Sequence, residues 1–283
     1  MKVKLVSHTM DIEKVVALGA RTCYSNKDMD SLLIDMDNVD KQTNMVEKLL
    51  EWGHESPIEH ASFTFMVEGI SRSTAQQLTR HRIASYSQRS QRYVSEDNFS
   101  YVTPKRIEKD ERSKKLYDSI MQETMKNYDK LIDFMVIDEL KHSHKDIYEN
   151  LNALISIIET EKKISIDVIE YFKKYFHGVY SHIKKKVIED ARYILPNACS
   201  TTIVFTMNLR SLKNFFGLRM CSRSQNEIRE LATLMKEECL KVSDIFRLIA
   251  SPRCIQLGYC PEGNKCCGAM ETLEELKENI ENE

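Results

Sequence analysis

No run in this 283-residue sequence approaches the roughly 20 apolar residues that a membrane-spanning helix needs. The N-terminus, MKVKLVSHTMDIEKVV, also lacks the apolar stretch of a secretory signal. The reading is therefore a cytoplasmic chain with no membrane partner. A basic surplus is missing too: 41 Lys and Arg stand against 43 Asp and Glu, for a formal charge of −2. A protein that coats nucleic acid needs excess cations to displace counterions, so no nucleic-acid polymer is expected as partner. Disulfides are not expected either, because eight cysteines in a reducing compartment serve as thiols, ligands or core fillers. The last absence is local. From Gly69 to Ser95 there is no Asp, Glu or Lys, yet Arg72, Arg80, Arg82, Arg89 and Arg92 all fall inside.

That window contains RHRIASYSQRSQRY (80–93). Arginine presents a planar fork of donors that fits carboxylate and phosphate, whereas lysine presents a hydrated point charge. A solvated face would carry Glu and Lys of both signs. This segment carries neither, so it reads as a local anion site of nucleotide size.

The apolar content of 42% supports a real core, as one large domain or one domain with an elaboration. Asp11 is positioned to cap a helix with Ile12, Val15 and Val16 on its stripe. A second helix presents Met45, Val46, Leu49 and Leu50 and ends at Gly53. Phe63, Phe65 and Val67 alternate with Ser62, Thr64 and Met66, the pattern of a strand with one buried face. Residues 71–83 read as a helix with a serine-rich loop behind it. From about 105 to 187 the texture becomes Lys-, Asp- and Glu-rich, with Leu116, Ile120, Met121, Tyr128, Leu131 and Met135 at helical spacing. The expected fold is α+β: a central, mostly antiparallel sheet flanked by helices, with that extra helical segment.

A second informative stretch runs from Ala191 to Met235. TTIVFTMN (201–208) reads as a strand, Ser211 as the cap of the next helix, and Ser224 to Glu227 as a capping box. Arg192, Asn208, Arg210, Asn214 and Arg219 stand at positions that a plain structural segment does not require. Asn208 and Arg210 share one side of an extended segment, and Asn214 falls in a first helical turn, where free N–H groups favour anions.

Arg80, His81, Arg82, Ser85, Ser90, Arg92 and Tyr93, as RHR followed by S-x-x-x-x-S-x-RY, resemble the motif of the flavin-dependent thymidylate synthases. GHESPIEH (53–60) and N-x-R-S-L-x-N-F (208–215), followed by LR (218–219), are similar to further segments of that family, covering about residues 1–103 and 188–250. The resemblance implies one such domain over 1–283, with the helical elaboration at 105–187 and a Cys-rich tail at 251–270. It implies reductive methylation of dUMP to dTMP with methylenetetrahydrofolate as one-carbon donor, bound FAD, NADPH as reductant, and a homotetramer with shared active sites. Carried over by position, Arg80, His81, Arg82, Ser56, Gln88, Asn208, Arg210 and Asn214 would contact FAD, with His54 near the flavin ring. Gln77, Arg80, Gln88, Ser90, Gln91, Arg92, Arg192 and Arg219 would hold dUMP, with Leu78, Thr79 and Arg89 beside them.

Arg219 is the implied catalytic residue. Uracil C5 is a poor nucleophile that improves as negative charge builds on the N3–O4 side, where a fixed guanidinium stabilises it. Ser90 has no evident acid–base partner in the sequence, and an unactivated hydroxyl attacks poorly, so it is assigned to positioning dUMP. Many relatives carry Asn-Glu between the two serines of the motif; Ser87 and Gln88 stand here, removing a charge.

Two other features bear on cofactors. HESPIEH is not a zinc-protease helix, because its histidines are six apart and Pro57 interrupts them. Cys254, Cys260, Cys266 and Cys267, with Cys221 upstream, suggest a structural zinc. Two rival functions are an RNA-binding module, which would stack bases on Tyr86, Tyr93 and Tyr101, and a zinc-stabilised interaction protein.

Overall fold

The structure is a computed structural model that describes residues 1–92, 99–162 and 165–272. Tyr93, the end of the arginine-rich motif, lies outside the described residues. The chain divides into two compact units, Met1–Gln88 with Thr201–Glu283, and Arg89–Ser200.

In chain order the first unit opens with β1 (Lys2–His8), α1 (Ile12–Thr22), α2 (Met29–Asp35), α3 (Val39–Glu51), β2 (Ser62–Ser71), α4 (Arg72–Leu78) and β3 (Ala84–Gln88). The second unit contributes α5 (Lys105–Glu108), α6 (Glu111–Ser143), α7 (Lys145–Lys162), α8 (Val168–Tyr175) and α9 (His177–Ala191). The chain returns through β4 (Ser200–Asn208), α10 (Leu209–Arg219), α11 (Asn226–Cys239), α12 (Phe246–Ile249) and α13 (Arg253–Leu257).

The strands form one sheet in the order β1-β2-β4-β3, with β1/β2 and β3/β4 antiparallel. The α+β expectation is met. Alternation sets the core: Phe63, Phe65 and Val67 of β2 are buried beside Ile203, Phe205 and Met207 of β4. The Phe65 and Phe205 rings stack at 5.4 Å. Val16 of α1, Val46 and Leu49 of α3, Phe215 and Phe216 of α10, and Leu231 and Met235 of α11 complete this core. Full burial of each such side chain contributes about 1.5–3 kcal/mol before entropy is counted.

Helix ends follow side-chain chemistry, with three departures from expectation. Gly53, at φ 70°, terminates α3 as its spacing predicts. Asp11 takes a left-handed conformation and makes no side-chain cap, so the start of α1 is fixed by its apolar stripe instead. Asn208, not Ser211, caps α10: its side chain accepts the Ser211 N–H at 2.8 Å, and the Ser211 hydroxyl donates to the Ile83 carbonyl. The box at 224–227 is also reassigned. Gln225 caps α11, while Glu227 accepts both the N–H and the hydroxyl of Ser71 at 2.6 Å, across the fold at the start of α4.

The serine-rich loop expected after α4 is an edge strand. Residues 84–88 pair with 203–207 of β4 in an unbroken register. Small polar residues there satisfy the pleat because Ala84 and Tyr86 point inward while Ser85 and Ser87 stay exposed.

The second unit is helical and has its own core. Tyr128, Ile132, Val136 and Leu140 recur along one face of α6 and pack with Leu151, Ile155, Phe172 and Ile183. Leu116 and Ile120, read as part of that stripe, are exposed. No helix among the described residues is long and apolar enough to cross a membrane.

Candidate active site

The RHR turn is held by one phenol. As α4 ends, the Tyr86 hydroxyl is shared between the carbonyls of Leu78, at 2.9 Å, and His81, at 2.7 Å. Burial pushes the Tyr86 phenol up to about 12, so it keeps the proton that it donates. This fixes Arg80, His81 and Arg82 on the wall of a cavity of about 1080 Å³.

The start of α10 supplies a second cationic wall of the same cavity. Asn208, Arg210, Lys213 and Asn214 all line it, at the helix end where backbone N–H groups and the dipole favour anions. Arg210 pairs with Glu55 at 3.2 Å and also with Glu59, and Lys213 reaches Glu55 at 2.7 Å. Burial raises the Glu55 carboxyl, but Lys213 and Arg210 outweigh it and the net shift is downward. Six basic side chains and three acidic ones line the cavity, leaving a cationic excess suited to a polyanion.

Arg219 closes the far end of α10. Its Nε donates to His81 Nε2 at 3.0 Å and its Nη2 to the Gln77 carbonyl at 3.4 Å. Burial, helped by the Arg219 charge, lowers His81 to about 4. The imidazole is thus neutral near pH 7, with its proton on Nδ1 and a lone pair free for the guanidinium. The His81 ring also meets Phe215 edge-on at 5.0 Å. A weakly solvated guanidinium aimed by a neutral acceptor is a fixed electrostatic group that needs no reorganisation.

Of the expected FAD contacts, Arg80, His81, Arg82, Asn208, Arg210 and Asn214 share this cavity with Arg219. His54, Ser56 and Gln88 are not on its wall: His54 meets the Trp52 ring at 5.9 Å, and Gln88 donates to Thr201 at 3.5 Å. Gln77 borders a second cavity that Arg219 shares. The Leu78 side chain is in the core, and the Thr79 hydroxyl donates to the Gln76 carbonyl.

The remaining expected contacts belong to the second unit. Arg92 pairs with Glu189 at 3.0 Å, and Arg192 donates to the Glu189 carbonyl at 3.0 Å. The Ser90 hydroxyl accepts the Arg92 N–H at 3.1 Å. Gln91 Nε2 is buried with no hydrogen-bond partner among the described residues, a donor awaiting an acceptor. Arg89 is exposed.

Sequence reasoning missed Trp52, Lys213, Glu55, Glu59 and Glu189. The HESPIEH pattern, compared only with a zinc-protease helix, does not reveal that its Glu55 and Glu59 hold an arginine more than 150 positions away. The tyrosines needed for an RNA surface are committed: Tyr86 to the turn, and Tyr101 to Asp118 at 3.0 Å.

The expected zinc ligands do not form a ready-made metal site among the described residues. All eight cysteines are free thiols, and among the described residues no three His, Cys, Asp or Glu are grouped as metal ligands. Zinc needs about four ligands around one point, whereas the Cys266 sulfur turns to its own backbone, contacting the Met270 carbonyl at 3.1 Å and the Gly268 N–H at 3.3 Å.

A profile of the thymidylate synthase complementing protein family, Thy1, matches residues 4–243. The chain belongs to this family. It is 41% identical over 276 residues to the flavin-dependent thymidylate synthase of Clostridium tetani, spanning 98% of this chain and 96% of that one. The Geobacter sulfurreducens protein of the same name is 37% identical over 98% of this chain and 97% of its own. That of Pyrococcus furiosus is 41% identical over 77% and 74% respectively. Family membership covers both the arginine-rich turn and α10, the two elements that build the cavity.

Proposed function

We propose that the chain converts dUMP to dTMP by reductive methylation, with bound FAD, methylenetetrahydrofolate as one-carbon donor and NADPH as reductant. The observation that carries this is the cationic cavity in which the RHR turn and the start of α10 converge on an Arg219 aimed by neutral His81. The full-length similarity to enzymes named flavin-dependent thymidylate synthase supports it.

The residues present fit a flavin dinucleotide. The cavity is of dinucleotide size. Arg80, Arg82, Arg210 and Lys213 supply donors for a pyrophosphate, Asn208 and Asn214 supply neutral hydrogen bonds, and Trp52 offers an aromatic face. Bound flavin supplies the reducing chemistry. Ser56, Gln88 and His54 are assigned to the same ligand by resemblance.

For dUMP, Arg219 stabilises negative charge on the N3–O4 side of the uracil, which raises the nucleophilicity of C5. His81 and the Gln77 carbonyl hold that guanidinium in place. By resemblance, Gln77, Leu78, Thr79, Arg80, Gln88, Arg89, Ser90, Gln91, Arg92 and Arg192 are assigned to nucleotide binding. The orphan donor of Gln91 supports that assignment. Ser90 positions and does not attack: its oxygen accepts a backbone N–H, and among the described residues no base is hydrogen-bonded to it.

A homotetramer is part of the reading. Tyr24, Met29, Ile34 and Val39 expose large apolar surfaces along one segment, as an association face does. The protein is expected to act in the cytoplasm.

The deciding experiment is spectroscopic and kinetic. Purified protein should be yellow, show a flavin spectrum, and oxidise NADPH faster when dUMP is added. Colourless protein that cannot be loaded with FAD overturns the reading.

A further inference from the structure

Every residue assigned above to a ligand precedes α11, yet the tail of the chain also reaches the cavity. Gln256 of α13 stands on its wall beside Gly217 and Arg219 of α10. Its side-chain amide donates to the Ile249 carbonyl at 2.8 Å and to the Ser251 carbonyl at 2.9 Å. A longer contact, 3.4 Å, reaches the Lys213 carbonyl within α10. The Ile249 carbonyl ends α12, where a helix has no backbone partner of its own to offer, and the amide supplies one. One side chain thus ties the end of α12 and the start of α13 to the middle of α10.

The amide comes this close because residue 217 has no side chain. A Cβ at Gly217 would stand 3.3 Å from Gln256 Oε1, 3.5 Å from its Nε2 and 3.7 Å from the Arg253 Cβ. An amide pinned by two carbonyls cannot swing aside to make room. Gly217 lies within α10, where glycine is less favourable than alanine. Close approach of Gln256, not an unusual backbone angle, is what glycine provides here.

Arg219 follows Gly217 by two residues and is the last residue of α10. Its guanidinium is held by His81 and the Gln77 carbonyl, both close to α4 in the chain. The helix that carries it is held from the other side by Gln256. We propose that Gln256 is a positioning residue for Arg219, acting through the last turn of α10 so that the guanidinium meets His81 and the nucleotide at one fixed place. The inference rests on the proposed function, since it assigns Gln256 to the same site. A fixed electrostatic group stabilises developing charge only at the right distance, so a shift of about 1 Å can lower a rate by about 10².

The kinetic test uses the flavin-loaded full chain. Gln256→Ala, and Gln256→Met, which keeps the length but not the donors, should each lower kcat and kcat/KM for dUMP together. The expected loss is about 10- to 100-fold per bound flavin. Ile255→Ala, on the same short helix but exposed and off the cavity wall, should turn over like the parent. A role confined to holding the tail would lower the flavin-loaded yield or the urea midpoint and leave turnover per flavin unchanged, and that result overturns the proposal. The contact itself is read without flavin or dUMP. Gly217→Ala should lower the urea midpoint of the parent and raise that of Gln256→Ala, where the crowding is gone and the helix preference of alanine remains. A shift of the same sign in both backgrounds also overturns the proposal. Wild-type protein that neither binds flavin nor forms dTMP overturns the proposed function instead, and the parent's own assay registers this before any variant is compared.

Discussion

The two units spend similar charge in opposite ways. In the helical unit, cations are neutralised by carboxylates of the same helix, as Lys115 with Glu111 and Lys145 with Glu149, or of a neighbouring helix, as Lys173 with Asp133 and Lys186 with Glu139. In the sheet unit, Arg80, Arg82 and Arg219 line one cavity and make no ion pair with a carboxylate among the described residues. The helical pairs use lysine on water-facing surfaces. The cavity uses arginine, whose fork retains its value when partly desolvated. Net charge therefore says little about where a site is. Whether each charge is neutralised locally says much more.

The comparison is tested hardest at its two extremes. Phe172 is fully buried in the helical unit, so Phe172→Ala should cost about 3–5 kcal/mol of stability. Denaturant unfolding followed by circular dichroism reads this, and a loss below about 1 kcal/mol would mean that the helical core is not packed as described. In the cavity, Arg219→Ala should retain FAD yet lower dTMP formation by about 10²–10³, the cost typical of removing one fixed electrostatic donor. Flavin absorbance and turnover are measured on the same sample. Near-normal turnover removes Arg219 from the mechanism.

What was legible in the sequence was local. Alternation at Phe63, Phe65 and Val67 gave a strand, Gly53 gave a helix end, and the acid-free arginine window pointed to the cavity wall. What was not legible depended on partners far along the chain. β3 is a strand because β4 pairs with it, whereas Ser85, Ser87 and their arginine neighbours locally read as loop. Glu227 fits a capping box by spacing, yet its carboxylate meets Ser71, 156 positions away. The His81–Arg219 contact spans 138 positions and explains what neither residue suggests alone.

A milder probe of the unneutralised site is pH. His81 titrates near 4 in the folded chain and near 6.5 when free. As pH falls from 6.5 towards 4, the unfolded chain takes up this proton while the folded chain does not. The His81 contribution to stability is therefore intact above 6.5, is lost progressively down to about 4, and changes no further below that. Urea midpoints of the wild type and His81→Gln, compared between pH 7 and pH 4.5, should show the steeper loss in the wild type. Equal slopes would mean that the imidazole is not held neutral by its surroundings. Water screens part of the effect at this half-buried position.

The smallest expected effect lies at the locally neutralised extreme. Lys115 and Glu111 are 2.7 Å apart on α6, with both side chains mostly exposed. Glu precedes Lys by four residues, the favourable orientation, yet such pairs contribute only about 0.2–0.5 kcal/mol. Glu111 is also the first residue of α6, where a carboxylate is stabilised by the helix dipole. The two truncations should therefore differ: Glu111→Ala loses pair and dipole, Lys115→Ala loses the pair alone. A double-mutant cycle isolates the coupling, which should fall further when salt is raised, as exposed charges are screened. A coupling above about 1 kcal/mol that persists in high salt would exceed what exposed pairs contribute. It would break the distinction drawn between the solvated charges of the helical unit and the arginines of the cavity.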